Sequence, residues 1–146
     1  MNDTDRFTDL EILALTAVGE SDGLGDIGMQ QTINVIMNRV AADMAWMGGA
    51  NARAVCLQKG QYDCWWPQIN NDDRERIIKI ALDNTTYGPY RIALQLAEKA
   101  LAGNLPDTVN GAVSYADDGE KPDVHPGSQP CLVVGSRTFY GLEAVA

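Results

Sequence analysis

Histidine is nearly missing from this chain: there is one, His125. A zinc site built on two histidines is therefore excluded. Cysteine is scarce too. Cys56, Cys64 and Cys131 are odd in number and irregularly spaced, which fits neither a disulfide framework nor paired zinc ligands. Neither a metal nor a cofactor is expected. Basic residues are outnumbered: 11 Lys and Arg stand against 20 Asp and Glu, for a formal net charge of −9. Nucleic-acid backbones and anionic membranes both call for clustered cations, so neither is expected as a partner. No GxxxxGK(S/T) phosphate loop is present, and Gly23, Gly25 and Gly28 follow a helical pattern rather than a strand, so they read as a turn. Long apolar runs are missing as well; none approaches the ~18–20 residues of a membrane span. After Met1 the first residues are polar, with Asp3 and Asp5 against Arg6, and no apolar signal segment is expected behind them. The expectation is a chain made in the cytoplasm, without a membrane span and monomeric.

What is there suits one folded domain over residues 1–146, with 45% apolar and 21% charged residues. Thr8-Asp9-Leu10-Glu11 has the form of a capping box. Leu10, Leu13, Ala14, Ala17 and Val18 then recur at helical spacing. Gly19 should end this helix or bring its last turn close to a neighbour, and Glu20 follows at once. Asp26 is a candidate cap for a second helix, whose apolar stripe is Ile33, Ile36, Met37 and Val40. Asn34, Asn38 and Arg39 lie off that stripe. Gly48-Gly49 breaks the pattern, and a short helix is expected over Ala52 to Leu57. Asn71 can cap a helix running to about Leu82, and Pro89 suits the first turn of another that ends at Gly103 and buries Ala93, Leu94, Ala97, Ala100 and Leu101. Ala112–Tyr115 and Leu132–Val134 read as strands around a Gly/Pro/Asp loop at 117–130, with Arg137–Tyr140 as a third. The fold class is α+β: about five helices, then a small C-terminal β element.

Two chemistries remain open. A thiol peptidase needs a cysteine brought to a histidine, and Cys64 with His125 is the pair available. The structural alternative is a packed thiol beside Trp65 and Trp66, with His125 in a loop. The other candidate is Glu20, at the junction of an apolar helix and a glycine-rich loop. A carboxyl held against apolar walls there has its charged form disfavoured, as a general acid requires. The alternative is a solvated carboxylate at a helix end, and spacing does not decide between the two.

An ordered set of short motifs adds to this. Ala17-Val18-Gly19-Glu20-Ser21-Asp22-Gly23 is followed by Gly28 and by Val35-Ile36-Met37-Asn38-Arg39. Gln61-Tyr62 comes next, then Ala97-Glu98-Lys99-Ala100-Leu101-Ala102-Gly103. Gly111-Ala112-Val113-Ser114-Tyr115 and Gly135-Ser136-Arg137-Thr138-Phe139-Tyr140 close the series. Taken in this order, along nearly the whole chain, they resemble the SleB-type cell wall hydrolases, the family of spore-cortex-lytic enzymes and some phage endolysins. This chain departs from the family at Ser21-Asp22, where Ala-Arg is common, and at Arg137, where His is common.

The resemblance implies a lysozyme-like fold and cleavage of peptidoglycan glycan strands at N-acetylmuramic acid, with Glu20 as the matched catalytic residue. It points toward lytic transglycosylation, in which Glu20 serves as acid and then base. Asp22 or Asp26 as a second carboxylate keeps muramidase-type hydrolysis open; helix capping and loop solubility are their structural alternatives. Gln61, Tyr62 and Tyr115 are candidates to line the glycan groove, since aromatic faces and amide hydrogen bonds suit sugar rings, although both tyrosines also suit a core. Asn38 and Arg39 fit a structural role as well as a sugar contact, and Trp46, Trp65 and Trp66 fit packing as well as binding. With no leader, a wall-degrading enzyme reaches its substrate by lysis, a holin-type pore or a phage particle, which suits a phage endolysin. A wall-binding or phage structural module without catalysis is the remaining alternative.

Overall fold

The computed structural model describes residues 3–58, 60–120, 124 and 127–142. Helix α1 (Asp9–Ser21) starts at the capping box: Thr8 Oγ1 accepts from the Glu11 amide at 3.2 Å, and Glu11 Oε1 accepts from the Thr8 amide at 2.9 Å. Every residue from Ile12 to Val18 is buried, so α1 is the central helix and is apolar all round. It does not stop at Gly19. The helix continues to Ser21, and Gly19 instead admits a neighbour: a Cβ there would lie 2.7 Å from Cys64 Cβ and 2.8 Å from its Sγ.

Helix α2 (Gly25–Ala42) is entered from Leu24, with no side-chain cap. Asp26 was expected as the cap. It lies one residue inside the helix, exposed in the first turn, where its charge faces the positive end of the helix dipole. Met29, Ile33 and Ile36 join the main core with α1. Val35, on another side of α2, joins Val109, Ala112 and Phe139 in a second, smaller core. Helix α2 is therefore clamped between helices and sheet, which is why Asn34 and Arg39, off the predicted stripe, are buried too.

The remaining helices are α3 (Ala52–Cys56), α4 (Pro67–Asp83) and α5 (Gly88–Leu101). Four long helices and the single turn of α3 come close to the five expected. Helix α4 is kinked at Asn70, whose φ of −145° and ψ of 74° are not helical. Asn70 Oδ1 accepts from the Asp73 amide at 3.2 Å, so Asn70 caps the second part, and the expected cap, Asn71, reaches Glu75 instead. Helix α5 buries Ala93, Ala97 and Ala100, while Leu101, expected inside, is 43% exposed. Gly103, at φ +77°, turns the chain out of α5.

The sheet has three antiparallel strands, β1 (Ser114–Asp117), β2 (Gln129–Val134) and β3 (Arg137–Gly141), in the order β1-β3-β2. Tyr115 sits opposite Phe139, their ring centroids 5.9 Å apart. The chain is thus one α+β domain, mostly helical with a small C-terminal sheet. Among the described residues, no helix is long and apolar enough to cross a membrane.

Candidate active site

A cleft of about 270 Å³ opens where the end of α1, the loop before α4 and strand β1 converge. Glu20 lines it from the last turn of α1. Gln61, Tyr62 and Asp63 line it from the loop, and Ser114 to Asp117 line it from β1, with Glu120 just beyond. The contact of Gly19 with Cys64 explains the convergence: two segments cross there, and the residues beside the crossing, Glu20 and Asp63, both enter the cleft.

Glu20 is held with its proton. Burial pushes its carboxyl up from 4.5 to about 8; the nearby charges of Asp63, Asp73 and Glu120 add to the rise, and Arg137 opposes it. A carboxyl in this state is protonated at neutral pH and can donate.

Two buried arginines hold the walls. Arg39, 5% exposed, donates from Nε to the Val113 carbonyl at 2.5 Å, from Nη1 to Gln61 Oε1 at 2.6 Å and from Nη2 to Ser114 Oγ at 3.3 Å. Its guanidinium carbon also lies 5.5 Å from the centre of the Tyr62 ring. One side chain of α2 thus ties the Gln61–Tyr62 loop to β1. Asn38 supports it by donating to the Ala112 carbonyl at 2.9 Å. Arg137, 2% exposed, pairs with Asp117 at 2.8 Å and donates to Ser21 Oγ at 3.1 Å, its guanidinium 4.1 Å from the centre of the Tyr115 ring. This arginine sits behind the cleft and braces β3 against the end of α1.

Glu20, Gln61, Tyr62 and Tyr115 therefore share one cleft. Tyr62 is 3% exposed, and burial pushes its phenol well above the usual range. Its hydroxyl is buried and has no hydrogen-bond partner among the described residues. Tyr115 is partly buried, and its hydroxyl lies 3.3 Å from Thr32 Oγ1.

The two other predicted carboxylates lie elsewhere. Asp22 faces α4: its Oδ2 accepts from Arg76 at 2.7 Å and from the Tyr87 hydroxyl at 2.8 Å. Neither Asp22 nor Asp26 lines the cleft. The carboxylates that do, besides Glu20, are Asp63, Asp117 and Glu120, which motif reading passed over. Asp117 had a signal of its own, since strand residues two apart share a face and it follows Tyr115 by two. Asp63 and Glu120 carry no such signal; only the fold brings them to Glu20.

The thiol alternative is placed as well. Cys64 is 1% exposed, and its thiol is pushed well above its ordinary value by burial and then by the neighbouring charges of Glu20, Cys56 and Asp73. A nucleophilic thiol needs access and a lowered pKa, and Cys64 has neither. His125 lies outside the described residues. Trp65 is packed in the core and donates to Thr16 Oγ1 at 2.8 Å, while Trp66 is partly buried against that core. Among the described residues, no group of three or more His, Cys, Asp or Glu could hold a metal ion.

The family described as Cell Wall Hydrolase matches residues 23–140 of this chain. The matched segment contains Gln61, Tyr62 and Tyr115 and begins three residues after Glu20. No curated protein and no solved structure matches the chain.

Proposed function

Because the chain belongs to the Cell Wall Hydrolase family, of SleB type, and its substrate is accordingly the peptidoglycan of the cell wall, we propose that it cleaves the glycan strands at N-acetylmuramic acid, with Glu20 as the general acid. The observation that carries this is a carboxyl in an open cleft whose proton is retained to about pH 8. Glu20 gives that proton to the glycosidic oxygen as the bond from C1 of muramic acid to it breaks. In lytic transglycosylation, the C6 hydroxyl of the same sugar then bonds to C1. Its proton returns to the Glu20 carboxylate, a 1,6-anhydro end forms, and no water is consumed. In the muramidase alternative, water attacks C1 and a reducing end forms, with Asp63, Asp117 and Glu120 as the carboxylates at hand in the cleft. The peptidase reading is weaker, because Cys64 is buried and its proton is tightly held.

Mass spectrometry of digested sacculi tests the reading. Anhydro-muramic ends are the expected product, and new reducing ends would point to hydrolysis. Cleaved stem peptides on intact glycan would overturn glycan cleavage altogether.

A further inference from the structure

Glu20 is flanked by residues that are each tied to a different part of the fold. Gly19, before it, is seated against Cys64. Ser21, after it, has its Oγ 2.6 Å from Thr32 Oγ1 and accepts from Arg137 at 3.1 Å. Asp22 comes next. It lies outside the cleft, where the end of α1 meets α4 and the start of α5. Its carboxylate takes both arms of the Arg76 fork, Oδ2 from Nη1 at 2.7 Å and Oδ1 from Nη2 at 3.4 Å. The same Oδ2 accepts from the hydroxyl of Tyr87, just before α5, at 2.8 Å.

The fork is aimed from behind. Arg76 Nε donates to Asp73 Oδ1 at 3.3 Å, and Asp73 Oδ2 accepts from Asn70 Nδ2 at 2.9 Å. Asn70 is the kink of α4, and its Oδ1 also holds the Asp73 amide. The kink therefore orients Asp73, Asp73 orients the guanidinium, and the guanidinium holds Asp22. The last carbonyls of a helix lack intrahelical partners, and an end held by nothing else frays. Here the end carries the candidate acid, and side chains of two other helical segments grip it two residues further on.

We propose that Asp22 is a positioning residue for the general acid: through Arg76 and Tyr87 it locks the last turn of α1 onto α4 and α5, so that the Glu20 carboxyl meets the glycosidic oxygen in one orientation. Asp22 touches no substrate in this scheme and acts only through Glu20. A misplacement of about 1 Å at a reacting group costs up to about 10²-fold in rate, so a loosened turn shows in kcat. The inference rests on Glu20 as the acid, and the two fail in different ways.

The test is steady-state cleavage of soluble glycan strands, well below the melting temperature of each variant. Asp22→Ala removes all three bonds and should lower kcat by about 10–100-fold, with KM within about twofold of the unmodified protein. Asp22→Asn keeps an acceptor oxygen without the charge and should recover part of that loss; if Asp22→Ala does not fold, it takes its place in both comparisons. The deciding measurement repeats the substitution in a Glu20→Gln background. With no acid left to position, the residual rate should fall no further. An equal fall in both backgrounds, a change in KM alone, or an unchanged kcat would overturn the proposal. Undiminished turnover in Glu20→Gln by itself would sink Glu20 as the acid, and the inference with it.

Discussion

At the last turn of α1, a carboxyl is held where its ionised form is poorly solvated, and that has consequences for both turnover and stability. Glu20→Gln keeps the shape and loses the transferable proton, so turnover on sacculi should fall by about 10²–10⁴-fold, the usual worth of general acid–base help. Stability should move the other way. Unfolded, the carboxyl titrates near 4.5; folded, near 8. Below pH 4.5, both states are protonated and Glu20 has no effect. As pH rises from there toward 8, the unfolded chain releases its proton while the folded one keeps it, so stability is lost across that window and levels off above it. Glu20→Gln should therefore raise stability at pH 7 by roughly 1–3 kcal/mol and leave it unchanged at pH 4. Thermal melts at the two pH values check the sign. Glu11, on the same helix, is the control: its carboxylate only closes the capping box, so Glu11→Gln should cost at most about 1 kcal/mol and spare turnover. Equal stability changes at both pH values, or turnover within tenfold of the unmodified protein, would remove Glu20 from the role of acid.

Between elements, the crossing of α1 with the 63–65 turn decides where the site forms. Gly19→Ala would place a methyl group 2.7 Å from Cys64 Cβ, a contact with a packed core that has no room to give. A loss of about 1–3 kcal/mol is expected from such overpacking, with turnover falling further than stability alone explains, because Glu20 and Asp63 flank the crossing. Cys64→Gly in the same chain removes the obstructing atoms and should restore turnover, which a catalytic thiol would forbid. Denaturant melts and sacculus digestion of the single and double variants decide it. This contact was half legible in the sequence. The helical period and the glycine announce a helix whose end comes close to something; the partner, 45 residues on, is visible only in the fold. The same division runs through the other elements. Capping box, apolar stripes and short apolar segments bounded by turn residues place α1, α2, α5 and the three strands, because each is a local pattern. The cap of the second part of α4 is Asn70, one residue before the expected Asn71, since neighbouring polar side chains compete there and the backbone turn selects between them; α2 is entered from Leu24, two residues before Asp26, with no side-chain cap at all. Burial of Asn34, Arg39 and Arg137 was out of reach, because a second core on the far side of α2 is a tertiary fact. At the site, Glu20, Gln61, Tyr62 and Tyr115 were picked out by the order of motifs, whereas Asp63 and Glu120 look like any other loop carboxylates until the chain is folded.

Over the whole molecule, charges from four different elements converge on one carboxyl, and together they set the pH range in which it can act as an acid. Asp63 from the loop, Asp73 from α4 and Glu120 beyond β1 raise the proton affinity of Glu20, and Arg137 from β3 lowers it. An acid that must start protonated loses activity above its pKa, so turnover should decline above about pH 8. Changing the charges should move that decline in opposite directions. Asp63→Asn removes the largest of the repulsive charges; the ionised form of Glu20 becomes easier to form, and the alkaline limb should move to lower pH. Arg137→Met removes the attractive charge, so the ionised form becomes harder to form and the limb should move to higher pH. Arg137 also braces Asp117 and Ser21, so this variant should lose stability, by about 1–3 kcal/mol. That is less than for a fully buried pair, because Asp117 is 38% exposed. The limb is therefore read well below the melting temperature of each variant. Higher salt should shrink the Asp63 effect more than the Arg137 effect, since screening acts on the exposed charge and hardly reaches the buried one. Rate–pH profiles of the three proteins on one glycan substrate, at two ionic strengths, carry the test. Two limbs displaced the same way, or a limb that moves with neither variant, would mean that the titrating acid is a group other than Glu20.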